Sequence, residues 1–105
     1  MRIRTATLFE RTFEDILSCG HKYYSRNTIK HLYTEYKKCR AILLDNPYYE
    51  QLETILDGFQ LEYRRVYIKP YFKIVYTVEG EDVIMVDVWD VRQNPDALRN
   101  RIDVV

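Results

Sequence analysis

The sequence predicts an α+β fold: a helical hairpin packed on a four-stranded antiparallel sheet, in a single domain spanning residues 1–105. Two observations point there. Phe72, Ile74, Tyr76 and Val78 alternate with Lys73, Val75 and Thr77, and Val83–Val91 (VIMVDVWDV) runs almost continuously apolar; both are strand patterns. Ahead of them, Ile29, Leu32, Tyr36, Cys39 and Leu43 recur at the spacing of one helix face.

Arg2–Ala6 reads as a short first strand. Thr7-Leu8-Phe9-Glu10 fits a capping box for a first helix that carries Phe9, Phe13, Ile16 and Leu17 and runs to about Cys19. Gly20 suits a left-handed stop. Ser25 or Asn27 can cap a second helix that ends near Leu44, before Asp45-Asn46-Pro47. Pro47–Phe59 shows one weak apolar group, Leu52, Ile55 and Leu56, and closes on a turn at Asp57-Gly58. Tyr63–Lys69 is the first strand of a three-stranded antiparallel meander. Pro70, which cannot donate to a ladder, belongs in the turn after it. Glu79-Gly80-Glu81-Asp82 supplies the hairpin, with glycine for a positive φ. Asn94-Pro95 ends the last strand and opens a short helix from Asp96 to about Ile102, after which Val104-Val105 are expected to fray.

At 105 residues the chain can bury a workable core without disulfides or metal. Cys19 and Cys39 sit in helical patterns and read as packing side chains. His21 and His31 have no carboxylate or cysteine at ligand spacing, so neither metal nor cofactor is expected. No apolar run suits a signal peptide or a membrane span, and the protein is expected in the cytoplasm. Sixteen basic and sixteen acidic residues cancel, but not uniformly. His21–Arg40 holds six Lys/Arg against one Glu, and Tyr63–Lys73 holds four and no acid. On the second helix Arg26, Lys30, Lys37 and Arg40 fall together beside the apolar stripe. They form either a solvated flank or a ridge for an acidic partner or a phosphate backbone.

No phosphate loop, nucleophile elbow or metal cluster is present. The residues open to function are Arg64, Arg65, Lys69, Lys73, Arg92, Gln93, Arg99 and Arg101, interleaved with Tyr63, Tyr67 and Tyr71. Tyr63, Arg65 and Tyr67 point to one side of their strand and Lys73 lies on the next. This is a basic, aromatic patch that can hold phosphate and stack a base, or simply pair across strands. Asp87 and Asp90 interrupt a buried strand and need partners, for which Arg65, Lys73 or Arg92 are the candidates.

Arg65, the strand Tyr71-Phe72-Lys73-Ile74-Val75-Tyr76, the apolar strand after Gly80, and the exit Val91-Arg92-Gln93-Asn94-Pro95 together resemble the C-terminal half of the RelE/ParE superfamily. These are toxins of bacterial type II toxin–antitoxin pairs, proteins of growth inhibition and plasmid stabilisation. The resemblance implies a cognate antitoxin whose segment folds over the toxin, at surfaces such as Arg26, Lys30, Lys37, Arg40, Tyr67 and Tyr71. In the RelE-like branch Arg65, Lys73 and Arg92 would serve a ribosome-dependent endoribonuclease that cuts mRNA. In the ParE-like branch the fold binds DNA gyrase without an active site. Lys73 stands where arginine is usual, and no Tyr or His follows Trp89, so the resemblance places the chain nearer the ParE-like branch, with the RelE-like ribonuclease as the alternative and a degenerate, non-toxic member that only binds its partner as a third reading.

Overall fold

The computed structural model describes residues 1–103, so the expected fraying of Val104-Val105 lies outside the described residues. The chain runs through β1 (Arg2–Thr5), α1 (Thr7–Cys19), α2 (Arg26–Asp45), β2 (Tyr63–Ile68), β3 (Phe72–Glu79), β4 (Asp82–Asp90) and α3 (Pro95–Asp103). Single 3₁₀ turns lie at Gly20–Lys22 and Thr54–Leu56. Among the described residues, no helix is long and apolar enough to cross a membrane.

The strands form one sheet in the order β1-β4-β3-β2. β2, β3 and β4 make the expected antiparallel meander, with Tyr63 opposite Thr77 and Lys73 opposite Trp89. Gly80 turns the hairpin at φ +58°. The fully antiparallel sheet is corrected, however: β1 pairs parallel to β4, Arg2 beside Asp82 and Thr5 beside Met85, so the sheet is mixed. The chain between β1 and β4, with α1, α2, β2 and β3, is far longer than the crossover a parallel pair needs. The direction has a local cause as well. Ala6 N–H donates to the Met85 carbonyl (2.8 Å), so the chain leaves β1 into α1 beside the second half of β4.

Two local expectations at helix ends also change. Thr7 lies inside α1, whose N-cap is Ala6 with no side-chain bond; Glu10 instead accepts from the Thr5 hydroxyl at 2.7 Å. Gly20 keeps a right-handed φ of −65° and continues into the 3₁₀ turn. A side chain there would meet Ile29 at 3.3 Å, so the glycine serves close packing of α1 on α2. Ser25 caps α2, accepting from the Thr28 N–H at 3.1 Å.

Both faces of the sheet are covered. On one, Phe72, Ile74, Tyr76, Val83, Met85 and Val88 pack against Phe9 and Phe13 of α1 and Leu32, Tyr36, Cys39 and Leu43 of α2. The Phe13 and Tyr36 rings meet edge to face at 4.8 Å. Each large side chain so buried contributes about 1.5–3 kcal/mol. On the other face Val75, Val86 and Trp89 pack against Leu56, Leu98 and Ile102. A bulge separates the halves of β4: Val75 pairs with Asp87 while Tyr76 pairs with Met85, leaving Val86 as the extra residue. Val86 and Asp87 therefore both turn toward α3.

Candidate functional site

Residues 46–62 fold back along the edge of β2, held there by side chains of the sheet and of α3. Glu53 N–H donates to the Tyr63 carbonyl (2.7 Å) and Arg65 N–H to the Gln51 carbonyl (3.1 Å), which zips the segment to the first half of β2. The Tyr76 hydroxyl donates to the Pro47 carbonyl at 2.7 Å, and Arg64 donates to the Glu50 carbonyl at 2.6 Å. Arg65 donates to the Leu52 carbonyl and, at 3.2 Å, to Gln51 Oε1. Arg99 donates to the carbonyls of Ile55 and Asp57 at 3.0 and 2.8 Å. Carbonyl acceptors leave no mark in a sequence, so this use of Arg64, Arg65 and Arg99 could not be read there.

Lys73 is buried. Its Nζ lies 2.7 Å from Glu53 Oε2, and Arg65 Nε lies 3.9 Å from the same oxygen. Two cations thus share one carboxylate. Glu53 was missed from the sequence; its signal is an isolated acid in the apolar stretch Leu52–Leu56. The Arg65 guanidinium also lies 5.2 Å from the centre of the Tyr67 ring.

Arg92 joins neither. It sits at the exit of β4, where its Nε and NH2 donate to the two oxygens of Asp90 (3.1 and 2.8 Å). It lies over the Tyr71 ring at 4.0 Å and the Tyr24 ring at 5.8 Å, and both tyrosines pack against the core on the α1–α2 side. Tyr24 donates its hydroxyl to Asp90 at 2.7 Å. The Arg92 bonds hold the Asp90 carboxyl down at about 2. Burial, with Asp90 alongside, pushes the Tyr24 hydroxyl up to about 12. The structure therefore pairs Asp90 with one of its three expected partners. Asp87 goes elsewhere, to Arg101 of α3 at 3.0 Å, and among the described residues its second oxygen has no hydrogen-bond partner. Burial raises the Asp87 carboxyl to about 6, against the pull of Arg101.

On α2, Arg26, Lys30 and Lys37 are exposed. Arg40 is half-buried, donating to the Tyr36 hydroxyl at 2.9 Å. Tyr71 lies beneath Arg92, whereas Tyr67 is 53% exposed. No group of three or more His, Cys, Asp or Glu stands ready to hold a metal among the described residues.

Where residues 49–51 part from β2, a cleft of about 510 Å³ opens, lined by Tyr49, Glu50, Gln51, Arg65 and Tyr67. It joins a cation held in place, exposed aromatic rings and the Gln51 amide, the groups of a phosphate and base contact, together with one carboxylate, Glu50. An open groove of about 590 Å³ lies on the α3 side, lined by apolar groups including Phe59, Leu61, Ile84 and Ile102.

The chain matches no protein-family profile and no curated protein. Among solved structures it is similar to a chain of the E. coli DinJ–YafQ complex (14% identity, 86% of this chain and 92% of that one, TM-score 0.49). It is also similar to the conserved hypothetical protein HP0894 from Helicobacter pylori (15%, 89% and 97%, 0.45). A third similar structure is a point mutant of E. coli YafQ (15%, 84% and 90%, 0.43).

Proposed function

We propose that this chain is the toxin component of a type II toxin–antitoxin pair, and that it acts on RNA in the manner of RelE-like ribosome-dependent endoribonucleases. The observation that carries this reading is the Arg65–Lys73–Glu53 arrangement beside Tyr67. Lys73 neutralises Glu53 behind the wall, which leaves the Arg65 guanidinium as the cation of a cleft whose one lining carboxylate is Glu50. The Arg65 side chain, fixed by Leu52, Gln51 and Tyr67, presents that charge without needing to reorganise. In such a reaction the 2′-hydroxyl of the RNA gives up its proton and attacks the adjacent phosphorus to form a 2′,3′-cyclic phosphate, while the bond to the 5′-oxygen of the next nucleotide breaks and that oxygen takes up a proton. A fixed guanidinium stabilises the charge that develops on the phosphate oxygens. Lys73, buried under Glu53, supports Arg65 and does not itself face solvent. Arg92 takes no part in this arrangement.

The gyrase reading rests on the helical pair. There the exposed Arg26, Lys30 and Lys37 form a ridge that suits an acidic protein partner. We assign that ridge to the antitoxin, an acidic segment lying along α2. The DinJ–YafQ structure is a complex of two proteins. For this chain a protein partner is inferred from the charge of α2.

The test is to add purified protein to ribosomes translating a defined mRNA, mapping new RNA ends, with a gyrase supercoiling assay run in parallel. Cleavage of ribosome-bound mRNA, lost in Arg65→Ala and partly kept in Arg65→Lys, is expected, with supercoiling untouched. Intact mRNA together with blocked supercoiling would overturn the reading.

A further inference from the structure

The zip between residues 51–53 and β2 stops at Arg65. In an antiparallel ladder the backbone groups of alternate residues point to the same side. Tyr63 and Arg65 use theirs outward, on Glu53 and Gln51. Tyr67 is the next outward position, and its N–H and C=O face the place where the segment has already diverged. Among the described residues they have no backbone partner there. Two tyrosines border the same opening, Tyr49 at 71% exposure and Tyr67 at 53%. Glu50 and Arg65 also line it, and Gln51 completes the wall. Its Oε1 accepts from Arg65 at 3.2 Å, which turns the amide nitrogen, with its two donors, away from the guanidinium.

We infer that this cleft is a subsite for one unpaired nucleobase, so that the protein grips single-stranded RNA directly, without the ribosome. The inference rests on the RNA reading above and adds the contact that the ribosome is not needed to make. The base stacks on the ring of Tyr67, of Tyr49, or between them, gaining the contact that two exposed rings lack. The Tyr67 backbone and the Gln51 amide meet its polar edge, one acceptor and several donors. Arg65, fixed on the Tyr67 ring, sits beside the attached phosphate. A duplex offers no splayed base and does not fit. An extended peptide pairing with the edge of β2 is the competing occupant. It needs a run of outward N–H and C=O groups, and the edge provides them at Tyr67 alone before the turn at Pro70, which has no N–H.

The experiment is fluorescence anisotropy of fluorescein-labelled hexaribonucleotides, oligo-U and oligo-A, with a hairpin duplex and an acidic Glu-Val peptide as comparisons, against purified protein without ribosomes. Single strands are expected to bind more tightly than the duplex, and the two sequences to differ. Tyr67→Leu and Tyr49→Leu should each weaken single-strand binding about tenfold or more, whereas Tyr67→Phe should keep it. Both tyrosines are exposed, and a thermal melt checks that each variant folds. Binding unchanged in both Leu variants, equal binding of the duplex, or loss of peptide binding with RNA binding intact would each overturn the subsite. The ribosomal assay on the same proteins separates the two claims. Cutting without free-RNA binding removes the subsite and leaves the RNA-cutting reading, whereas tyrosine-dependent RNA binding without cutting does the reverse.

Discussion

Lys73 Nζ stands 2.7 Å from Glu53 Oε2 with side-chain exposures of only 11% and 5%, so the basic residue at the centre of the resemblance is an interior ion pair. Removing one partner leaves the other charge buried and alone, which costs about 3–5 kcal/mol. Lys73→Met and Glu53→Leu are each expected to lower stability by that order in urea unfolding. The double variant should recover part of the loss, because two apolar side chains replace the pair while Arg65, 3.9 Å from Glu53, still loses its carboxylate. The same cycle reports on function. If Lys73 acts only by supporting the Arg65 wall, RNA cutting returns with stability in the double variant. An inactive but stable double variant would assign Lys73 a direct role.

Asp87 gives a pH prediction of known sign. Its folded carboxyl is raised to about 6 by burial, above the ordinary value of 3.8. Folding therefore takes up a proton between those values. The stability linked to that proton is fully present below about pH 4 and is lost as pH rises through about 6. The difference amounts to roughly 3 kcal/mol. Asp87→Asn should flatten the stability profile between pH 4 and 6, measured by denaturant unfolding across that range. A wild-type profile already flat there would show that Arg101, at 3.0 Å, compensates the burial in full.

These two carboxylates show what the sequence could and could not reveal. The apolar periods of Phe72–Val78, Val83–Val91 and Ile29–Leu43 report burial directly, and each became the strand or helix expected. That Asp87 and Asp90 needed partners followed from the same reasoning. The identity of the Asp87 partner did not, because the bulge at Val86 turns this residue toward Arg101. The direction of β1 was equally hidden: four residues cannot state whether they run with or against β4. The 3₁₀ turn and the zip along β2 rest on backbone carbonyls, and a sequence shows only the arginines that reach them. Arg65, Tyr67 and Lys73 were singled out for their type and spacing. Only the structure separates Arg92 from them and adds Tyr49, Gln51 and Glu53.

At the β4 exit, Tyr24 and Arg92 act jointly on Asp90. The carboxyl, held near 2 chiefly by Arg92, contributes stability above its ordinary value of 3.8 and loses it as pH falls through about 2. Tyr24→Phe removes one bond to the carboxylate and should cost about 1–2 kcal/mol. It should also raise the Asp90 carboxyl, read by NMR titration of its side-chain carbon. Arg92→Ala removes the largest stabilising contact and should raise it further. An Asp90 carboxyl unmoved by either change would show that the backbone N–H of Arg92, which also donates to it at 2.9 Å, suffices.

Tyr76 tests whether the cleft depends on its anchor. The hydroxyl is buried under α2 and donates to the Pro47 carbonyl at 2.7 Å, and Tyr76 is not among the residues that line the cleft. Burial pushes it up to about 12, so it remains a donor across the physiological range. Tyr76→Phe keeps the ring in the core and leaves a carbonyl unpaired, a loss of about 1–3 kcal/mol. The loosened end is the one that carries Tyr48, Tyr49 and Glu50, while the zip at 51–53 stays intact. Limited proteolysis should therefore quicken at residues 47–50 before it does elsewhere. Single-strand RNA binding should weaken through Tyr49, and antitoxin binding on the α2 ridge should hold. Equal loss of both would mean that the substitution disturbs the whole helical layer, because α2 and residues 46–50 are then coupled through Tyr76.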